Sequence, residues 1–370
     1  MAALEHKDRV YRIDLQRIPN SLLRRIATAM EEPFPLLTDL ALHAIAPALP
    51  DSFLGGSAPG LQSLRLTGVP FPALWKLLPT ATHLVFLDLW DVPHSGYISP
   101  SAMATCLSAL TRLEELHLGF QSPRSCPDRA NQRPPQTRFI LPSLSTLEFK
   151  GVGEYFEDLV AQIDAPLLND IWIVFLHQLV FDTPQLLRFF SRKNGFKVLT
   201  RATVHFCADL VRVSLYSPTE TGSRREISVL ITCRDIDWQL SSLAQFCSSS
   251  LPFLSTVEDL NLYGGPFRPQ SLDGVEVTQW LELLRPFIAV KTLYIRSKLA
   301  HHVMLALQDF ISDGETEVLP ELGRILLDGY QPSGGVPEAI QRFASERQLS
   351  GCPVRTEWRA PRGWKWETGR

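Results

Sequence analysis

The chain has few of the residues and segments that mark secreted, membrane or metal-binding proteins. Its six cysteines are scattered without a Cys-x-x-Cys pair, and none of its five asparagines lies in an Asn-x-Ser/Thr sequon. Scattered cysteines of this kind predict reduced, mostly buried thiols. No apolar run follows the charged N-terminus, and the most apolar stretch, 166–181, is too short and too polar to span a bilayer. These absences favour a cytoplasmic or nuclear protein without a membrane partner.

The sequence also lacks a recognisable catalytic or cofactor motif. Ser57 follows a glycine, but Pro59 occupies the second glycine position of a nucleophile elbow. Gly151 and Gly153 begin a dinucleotide-like pattern, whose third glycine position is occupied by Phe156. No His-Glu-x-x-His motif is present to hold zinc, and the net charge of −3 gives no general attraction to nucleic acid. The sequence therefore predicts a protein that is not an enzyme and uses no cofactor or metal.

The sequence does contain a short apolar motif, here called a phrase, that recurs along the chain. Leucine-like residues occupy its first, fourth and sixth positions, which is the strand phrase of a leucine-rich repeat. The phrases begin at Leu37, Leu61, Leu84, Leu113, Leu144, Leu168, Val257, Val290 and Leu322, with a weaker copy at Leu199. Between Leu199 and Val257, the alternating run at 227–233 is predicted to supply a missing strand. The second leucines of four phrases, Leu87, Leu116, Leu147 and Leu260, are predicted to be core residues.

Between the phrases, the spacing of apolar residues changes to that of an amphipathic helix. Such segments cover 101–110, 155–163, 238–247, 302–311 and 337–346. Thr183 with Pro184 predicts the start of another helix, and Thr278 is predicted to cap a helix that Pro286 ends. The sequence therefore predicts an α/β solenoid. This would be an irregular leucine-rich-repeat horseshoe, with parallel strands on the concave wall and helices on the convex side.

Three segments depart from the repeat pattern. Residues 121–138 are rich in proline and arginine, which predicts a basic loop, either a solvated surface loop or an arm for an acidic partner. Residues 211–233 are interpreted as a hairpin-like excursion on the rim of the solenoid. We predict a single repeat domain over 1–354, followed by a basic, tryptophan-rich tail at 355–370. The tail is expected to cap the last repeat, to be a frayed terminus without fixed structure, or to bind nucleic acid.

The predicted concave wall is the candidate binding surface. Side chains flanking the buried leucines point outward because a strand has a period of two residues. Several of these are aromatic or charged, the types that dominate protein–protein interfaces, although some aromatics could instead pack on flanking loops. The predicted partner-binding residues are Trp90, His117, Glu148, Trp172, Tyr263 and Tyr294. The predicted function is non-enzymatic binding of an unknown protein target, with a nucleic-acid-associated role as a less favoured alternative.

Four segments, at 141–155, 157–168, 181–186 and 237–243, resemble the repeat region of the mushroom (basidiomycete) F-box protein family. The resemblance extends from about Ile13 to about Val354. It implies the target-recognition part of a ubiquitin-ligase adaptor, in which an F-box docks to a Skp1-type subunit of a cullin ligase. Few residues precede the first strand-like run at 10–15, so we expect the repeat portion alone. Skp1 and cullin are expected as partners only if an F-box lies upstream, and a free-standing scaffold is the alternative.

Overall fold

The computed structural model describes residues 6–44, 48–122, 138–178, 180–217, 225–265, 275–312, 318–328 and 336–359. The chain forms two compact units. The first comprises Met1–His177 and Thr183–Lys193, and the second comprises Gln178–Asp182 and Asn194–Arg370. Most of the predicted basic loop (123–137) and of the predicted tail (360–370) lies outside the described residues, as does Cys126. The division into a repeat domain and a tail stays a prediction.

The first unit contains a parallel sheet built from the predicted phrases. Its strands are β1 (Arg12–Gln16), β2 (Asp39–His43), β3 (Ser63–Thr67), β4 (Phe86–Val92), β5 (Glu115–Phe120), β6 (Phe139–Ile140), β7 (Thr146–Gly151), β8 (Ile163–Asp164) and β9 (Asp170–Phe175). The sheet order is β1-β2-β3-β4-β5-β7-β9, and β6 and β8 form a separate small ladder. Each neighbouring pair in the sheet is parallel, which confirms the prediction for the strands after Leu61, Leu84 and Leu113.

Helices follow the strands of the first unit and cover one side of its sheet. They are α1 (Asn20–Ala29), α2 (Leu74–Leu77), α3 (Pro100–Leu107), α4 (Gly153–Gln162) and α5 (Pro184–Ser191). Alternate strand residues point toward this helical layer and are buried. Leu87, Leu116 and Leu147 are completely buried, as predicted. The opposite side of the sheet carries the half-buried polar and aromatic side chains.

The second unit is also a mostly parallel sheet with helices. Its strands are β10 (Arg201–Phe206), β11 (Leu210–Tyr216), β12 (Glu226–Thr232), β13 (Asp259–Gly264), β14 (Thr292–Arg296), β15 (Arg324–Asp328) and β16 (Arg355–Arg359). Its helices are α6 (Ile236–Ser250), α7 (Val277–Leu284), α8 (Ser297–Ser312) and α9 (Val336–Leu349). Strands β10, β13, β14, β15 and β16 pair in parallel in that order. The first five residues of the predicted tail thus form the strand β16 beside β15.

The second unit contradicts the sequence prediction between residues 201 and 232. Strand β11 pairs antiparallel with both β10 and β12, and β10 is the parallel neighbour of β13. The run at 227–233 therefore does not fill the gap before Val257, and the hairpin belongs to the sheet instead of lying on its rim. The cause is the short link at 207–209, which allows only an antiparallel return, because a parallel crossover needs about a dozen residues.

The helix predictions are correct in position, and Thr183 with Pro184 begins α5 as predicted, but the capping groups are not the predicted ones. Thr183 is the N-cap residue of α5, yet its side chain makes no cap hydrogen bond. Instead, the buried Glu157 of α4 accepts the backbone N–H groups of Gln185 (3.0 Å) and Leu186 (2.6 Å). Helix α7 is capped by a Glu276–Gln279 capping box, so the prediction of Thr278 as its cap was wrong. The cap of α5 depends on a tertiary contact with Glu157. At α7, Glu276 and Thr278 are both near the helix start, and the spacing of apolar residues does not decide which of them is the cap.

Two further features bear on the class of protein. The five described cysteines are free thiols, of which Cys106 and Cys247 are buried. Within the described residues, no helix combines the length and the apolar character needed to cross a membrane.

Candidate functional site

The outward side chains of the first-unit sheet form a continuous row across neighbouring strands. Parallel register places five residues opposite one another in sequence: Arg65, Asp88, His117, Glu148 and Trp172. Neighbouring strands lie about 4.8 Å apart, so successive side chains are in contact range. Three of the predicted partner-binding residues lie in this row. We refer to the outward side chains of β3, β4, β5, β7 and β9 as the first-unit face.

The fourth predicted residue of this unit, Trp90, lies on the outward side of β4, two residues after Asp88 and opposite Thr67 of β3. Asp91 adopts a left-handed backbone (φ 51°), which aspartate tolerates better than most residues, and the register with β5 shifts at this point. The Trp90 indole lies over Gly119, where an added Cβ would be 2.7 Å from its Cε3 atom. Its ring stacks on that of Trp172, with centroids 6.0 Å apart and an interplanar angle of 22°. The absence of a side chain at Gly119 leaves the space that the Trp90 ring occupies in this pair.

At one end of the row, the cationic side chain of Arg65 contacts both an aromatic ring and a carboxylate. Its guanidinium lies 5.0 Å from the centroid of Phe86, and its Nε is 3.1 Å from Asp88 Oδ2. The Asp88 side chain is 14% exposed, and its buried Oδ1 accepts no hydrogen bond within the described part of the chain. Burial raises the pKa of Asp88 to about 6, because desolvation outweighs the opposing effect of Arg65. Ionisation of this carboxylate therefore costs more free energy in the folded protein than in the unfolded chain.

At the tryptophan pair, Lys150 likewise contacts both an aromatic ring and a carboxylate. Its Nζ lies 5.6 Å from the centroid of Trp90 and 2.8 Å from Asp91 Oδ1. A cation over an indole ring is attracted by the negative face of the ring, and the adjacent carboxylate adds a charge-assisted hydrogen bond. The face of the Trp90 ring thus already holds a cation in this protein.

His117 lies between two carboxylates at the centre of the row. Its Nδ1 is 3.8 Å from Glu148 Oε2, and its Nε2 is 3.8 Å from Glu115 Oε2. The ring also makes an edge contact with Phe86, at a centroid distance of 5.2 Å. The His117 side chain is only 17% exposed, so it forms the floor of the face and the flanking carboxylates form its more accessible part.

Carboxylates outnumber cations on and beside the first-unit face. The acidic residues are Asp88, Asp91, Glu115, Glu148 and Asp170, and the arginine and lysine residues of the same strands' outward side are Arg65 and Lys150. His117 adds a positive charge only when it is protonated. The described residues of this surface therefore carry net negative charge at neutral pH. Such a surface attracts cationic groups and repels phosphate.

Tyr263 and Tyr294, the two remaining predicted residues, belong to the second unit. Tyr263 on β13 is in register with His205 of β10, and Tyr294 on β14 is in register with Asn261 of β13. Both tyrosines are half-buried on the outward side of their strands. The six predicted residues thus form two groups, four residues in the first unit and two in the second.

A partly buried polar network on β11 and β12 was not predicted from the sequence. Arg212 donates from Nε to Ser214 Oγ and from Nη2 to Ser228 Oγ, both at 3.0 Å. The two serine hydroxyls are 2.6 Å apart, and Ser228 donates to Glu226 at 2.8 Å. Because each group is hydrogen-bonded within the network, its arrangement suits a structural role in pairing these strands.

A thiol and an imidazole meet in the second unit without forming an activated nucleophile. Cys207 Sγ lies 3.4 Å from His205 Nδ1. Burial raises the pKa of Cys207 and lowers the pKa of His205, and the charge of Arg212 lowers the His205 pKa further. Both shifts favour the neutral forms, whereas a reactive cysteine needs a stabilised thiolate. Across the described ranges, no three His, Cys, Asp or Glu residues are grouped so that they could hold a metal ion.

The parts that Asp91 and Gly119 play beside the first-unit face were not predicted from the sequence. A glycine inside a strand phrase is the available signal, because it often marks the close approach of another group.

Comparison with known proteins adds no assignment: no protein-family model matches the chain, and no curated protein matches it.

Proposed function

We propose that this chain is a non-enzymatic protein-binding module and that the first-unit face contacts its partner. The observation that carries the proposal is the stacked pair of Trp90 and Trp172, half-buried on the outward side of a parallel sheet. Tryptophans on a rigid support lose little conformational entropy on binding, and they are enriched among the residues that dominate binding energy. The charged residues around the pair then give the surface its specificity.

The alternation of strands and helices supports the narrower proposal of an irregular leucine-rich-repeat horseshoe. In such a fold each unit buries its leucines against its neighbours, and the strands present a concave surface to a partner. The fully buried leucines of β4, β5 and β7 and the outward row opposite them agree with this arrangement. The antiparallel strands β10 to β12 make the repeat irregular.

The resemblance to mushroom F-box proteins supports a role in recognising targets for a ubiquitin ligase in the cytoplasm or nucleus. In this form of the proposal, the repeats select a protein and an upstream F-box docks to Skp1 and cullin. A free-standing scaffold without a ligase link is the alternative. Recovering the protein from its native cells and measuring whether a Skp1-type subunit and a cullin come with it separates the two, because the native protein keeps any F-box that lies upstream. A nucleic-acid role for the first-unit face is disfavoured because its carboxylates would repel phosphate.

The test of the face is a quantitative capture from native cells with wild-type and variant chains as bait. Trp172→Ala removes half of the tryptophan pair, and Trp75→Ala is the matched control because Trp75 is 53% exposed in the helical layer. Since a dominant interface residue contributes about 2 kcal/mol or more, roughly a thirtyfold loss in affinity, the partner should be depleted with Trp172→Ala. It should be retained with Trp75→Ala. Equal recovery with both variants contradicts the proposal.

A further inference from the structure

We infer that the first-unit face binds an arginine- or lysine-rich segment of its protein partner, with a cationic side chain on Trp172 beside Glu148 and Asp170. This inference rests on the proposed function and adds the chemistry of the partner.

Two cations of the chain show what the surface accepts. Arg65 lies on the ring of Phe86 and pairs with a carboxylate, and Lys150 lies on the ring of Trp90 and pairs with Asp91. The two sites are on different strands but have the same composition. Each consists of an aromatic ring, a neighbouring carboxylate and a cation that contacts both. The combination is favourable because the ring and the carboxylate attract the same charge, and partial burial strengthens both interactions.

A third ring with neighbouring carboxylates lies around Trp172. Glu148 is directly opposite Trp172 in the pairing of β7 with β9, and Asp170 precedes Trp172 by two residues on the same side of β9. Glu148 also faces His117, whose Nδ1 is 3.8 Å from Glu148 Oε2, and a carboxylate can accept more than one hydrogen bond. An incoming guanidinium or ammonium group would meet a ring with two carboxylates at neighbouring positions, the same kinds of group that Arg65 and Lys150 contact.

Other partner chemistries fit this surface less well. A phosphate or an acidic peptide would meet more carboxylates than cations and would be repelled. A purely apolar partner would strip water from half-buried carboxylates such as Glu148, which is 34% exposed, without supplying a compensating charge. A basic segment supplies that charge and also an alkyl stem that can pack on the tryptophan pair.

The experiment measures binding of a fluorescein-labelled nona-arginine peptide to the full chain by fluorescence anisotropy, with nona-glutamate as the opposite-charge probe. The double variant Glu148→Gln/Asp170→Asn removes two negative charges from the face. The control Glu31→Gln/Asp51→Asn removes two negative charges from exposed positions elsewhere in the first unit. We expect the face variant to weaken nona-arginine binding about tenfold, and the control to weaken it by less than about twofold. Thermal unfolding of each variant checks that the fold is retained.

Three results would overturn the inference. They are no binding of nona-arginine to the wild-type chain, an equal loss in the face and control variants, and equally strong binding of nona-glutamate. The capture experiment separates this inference from the proposed function. If Trp172→Ala loses the partner while Glu148→Gln/Asp170→Asn keeps it, the face binds a partner that is not basic. If Trp172→Ala keeps the partner, the proposed function itself is wrong.

Discussion

Replacing Asp88 by asparagine should stabilise the protein at neutral pH, although the change breaks an ion pair. The pKa of Asp88 rises from its ordinary value of 3.8 to about 6 because the carboxylate is buried and Arg65 only partly compensates. At about 1.4 kcal/mol per pKa unit, ionisation of Asp88 costs the folded state at most about 3 kcal/mol. Asparagine is isosteric and neutral, so it avoids this cost. We expect Asp88→Asn to raise the free energy of unfolding by about 1–3 kcal/mol at pH 7.5.

The sign of the pH dependence makes this prediction specific. The folded state binds the Asp88 proton more tightly than the unfolded state does, so its contribution to stability falls as pH rises from about 4 to about 6. The advantage of Asp88→Asn should therefore be largest above pH 6, fall to about a third of that value near pH 4.5, and approach zero only below pH 3.8. The assay is urea unfolding of both proteins at pH 4.5, 6 and 7.5, followed by tryptophan fluorescence. Taking the difference between the proteins cancels the titration of all other groups.

Asp51→Asn is the matched control for this experiment. The Asp51 side chain is 72% exposed and pairs with Lys76 at the surface, at a distance of 3.2 Å. Because exposed ion pairs contribute only about 0–1 kcal/mol, this variant should differ little from the wild type and should show little extra pH dependence. The reasoning about Asp88 is refuted if Asp88→Asn destabilises the protein at pH 7.5. A difference from the wild type that does not vary with pH would refute it as well.

Three further variants test the core, the tryptophan pair and a helix cap. Leu116→Ala should lower the free energy of unfolding by about 2–5 kcal/mol, measured in urea, because Leu116 is fully buried. Gly119→Ala should displace the Trp90 ring, since the new Cβ would lie 2.7 Å from it, and near-ultraviolet circular dichroism should report the lost stacking. Glu157→Gln should cost about 1–3 kcal/mol, because one backbone donor at the start of α5 loses its acceptor, and hydrogen exchange at Leu186 should accelerate.

Each of these variants has a matched control in the chain. Leu36→Ala changes a leucine that is 40% exposed, and should cost far less than Leu116→Ala. Gly323→Ala adds a Cβ whose nearest neighbouring atom is 3.9 Å away, so the circular dichroism of the tryptophans should not change. Glu154→Gln alters the same helix as Glu157→Gln at a half-buried position, and should leave hydrogen exchange in α5 unchanged. If a control matches its test variant, the structural reason given for that variant is wrong.

The sequence determined the positions of most strands and helices because both depend on local periodicity. The leucine phrases locate β3, β4 and β5, and the same spacing identifies Leu87 and Leu116 as core residues. The outward positions follow from the period of two, so His117, Glu148 and Trp172 could be assigned to one side of the sheet without coordinates.

Only the tertiary structure decided how distant residues meet. The antiparallel order of β10, β11 and β12 depends on a short link at 207–209, whereas the repeat phrasing suggested another parallel strand. The bulge at Asp91 and the stack of Trp90 on Trp172 over Gly119 each involve separate strands. The pKa of Asp88 depends on burial by side chains far away in sequence. Periodicity is a property of neighbouring residues, whereas bulges, ring contacts and desolvation arise from neighbours that only the folded chain brings together.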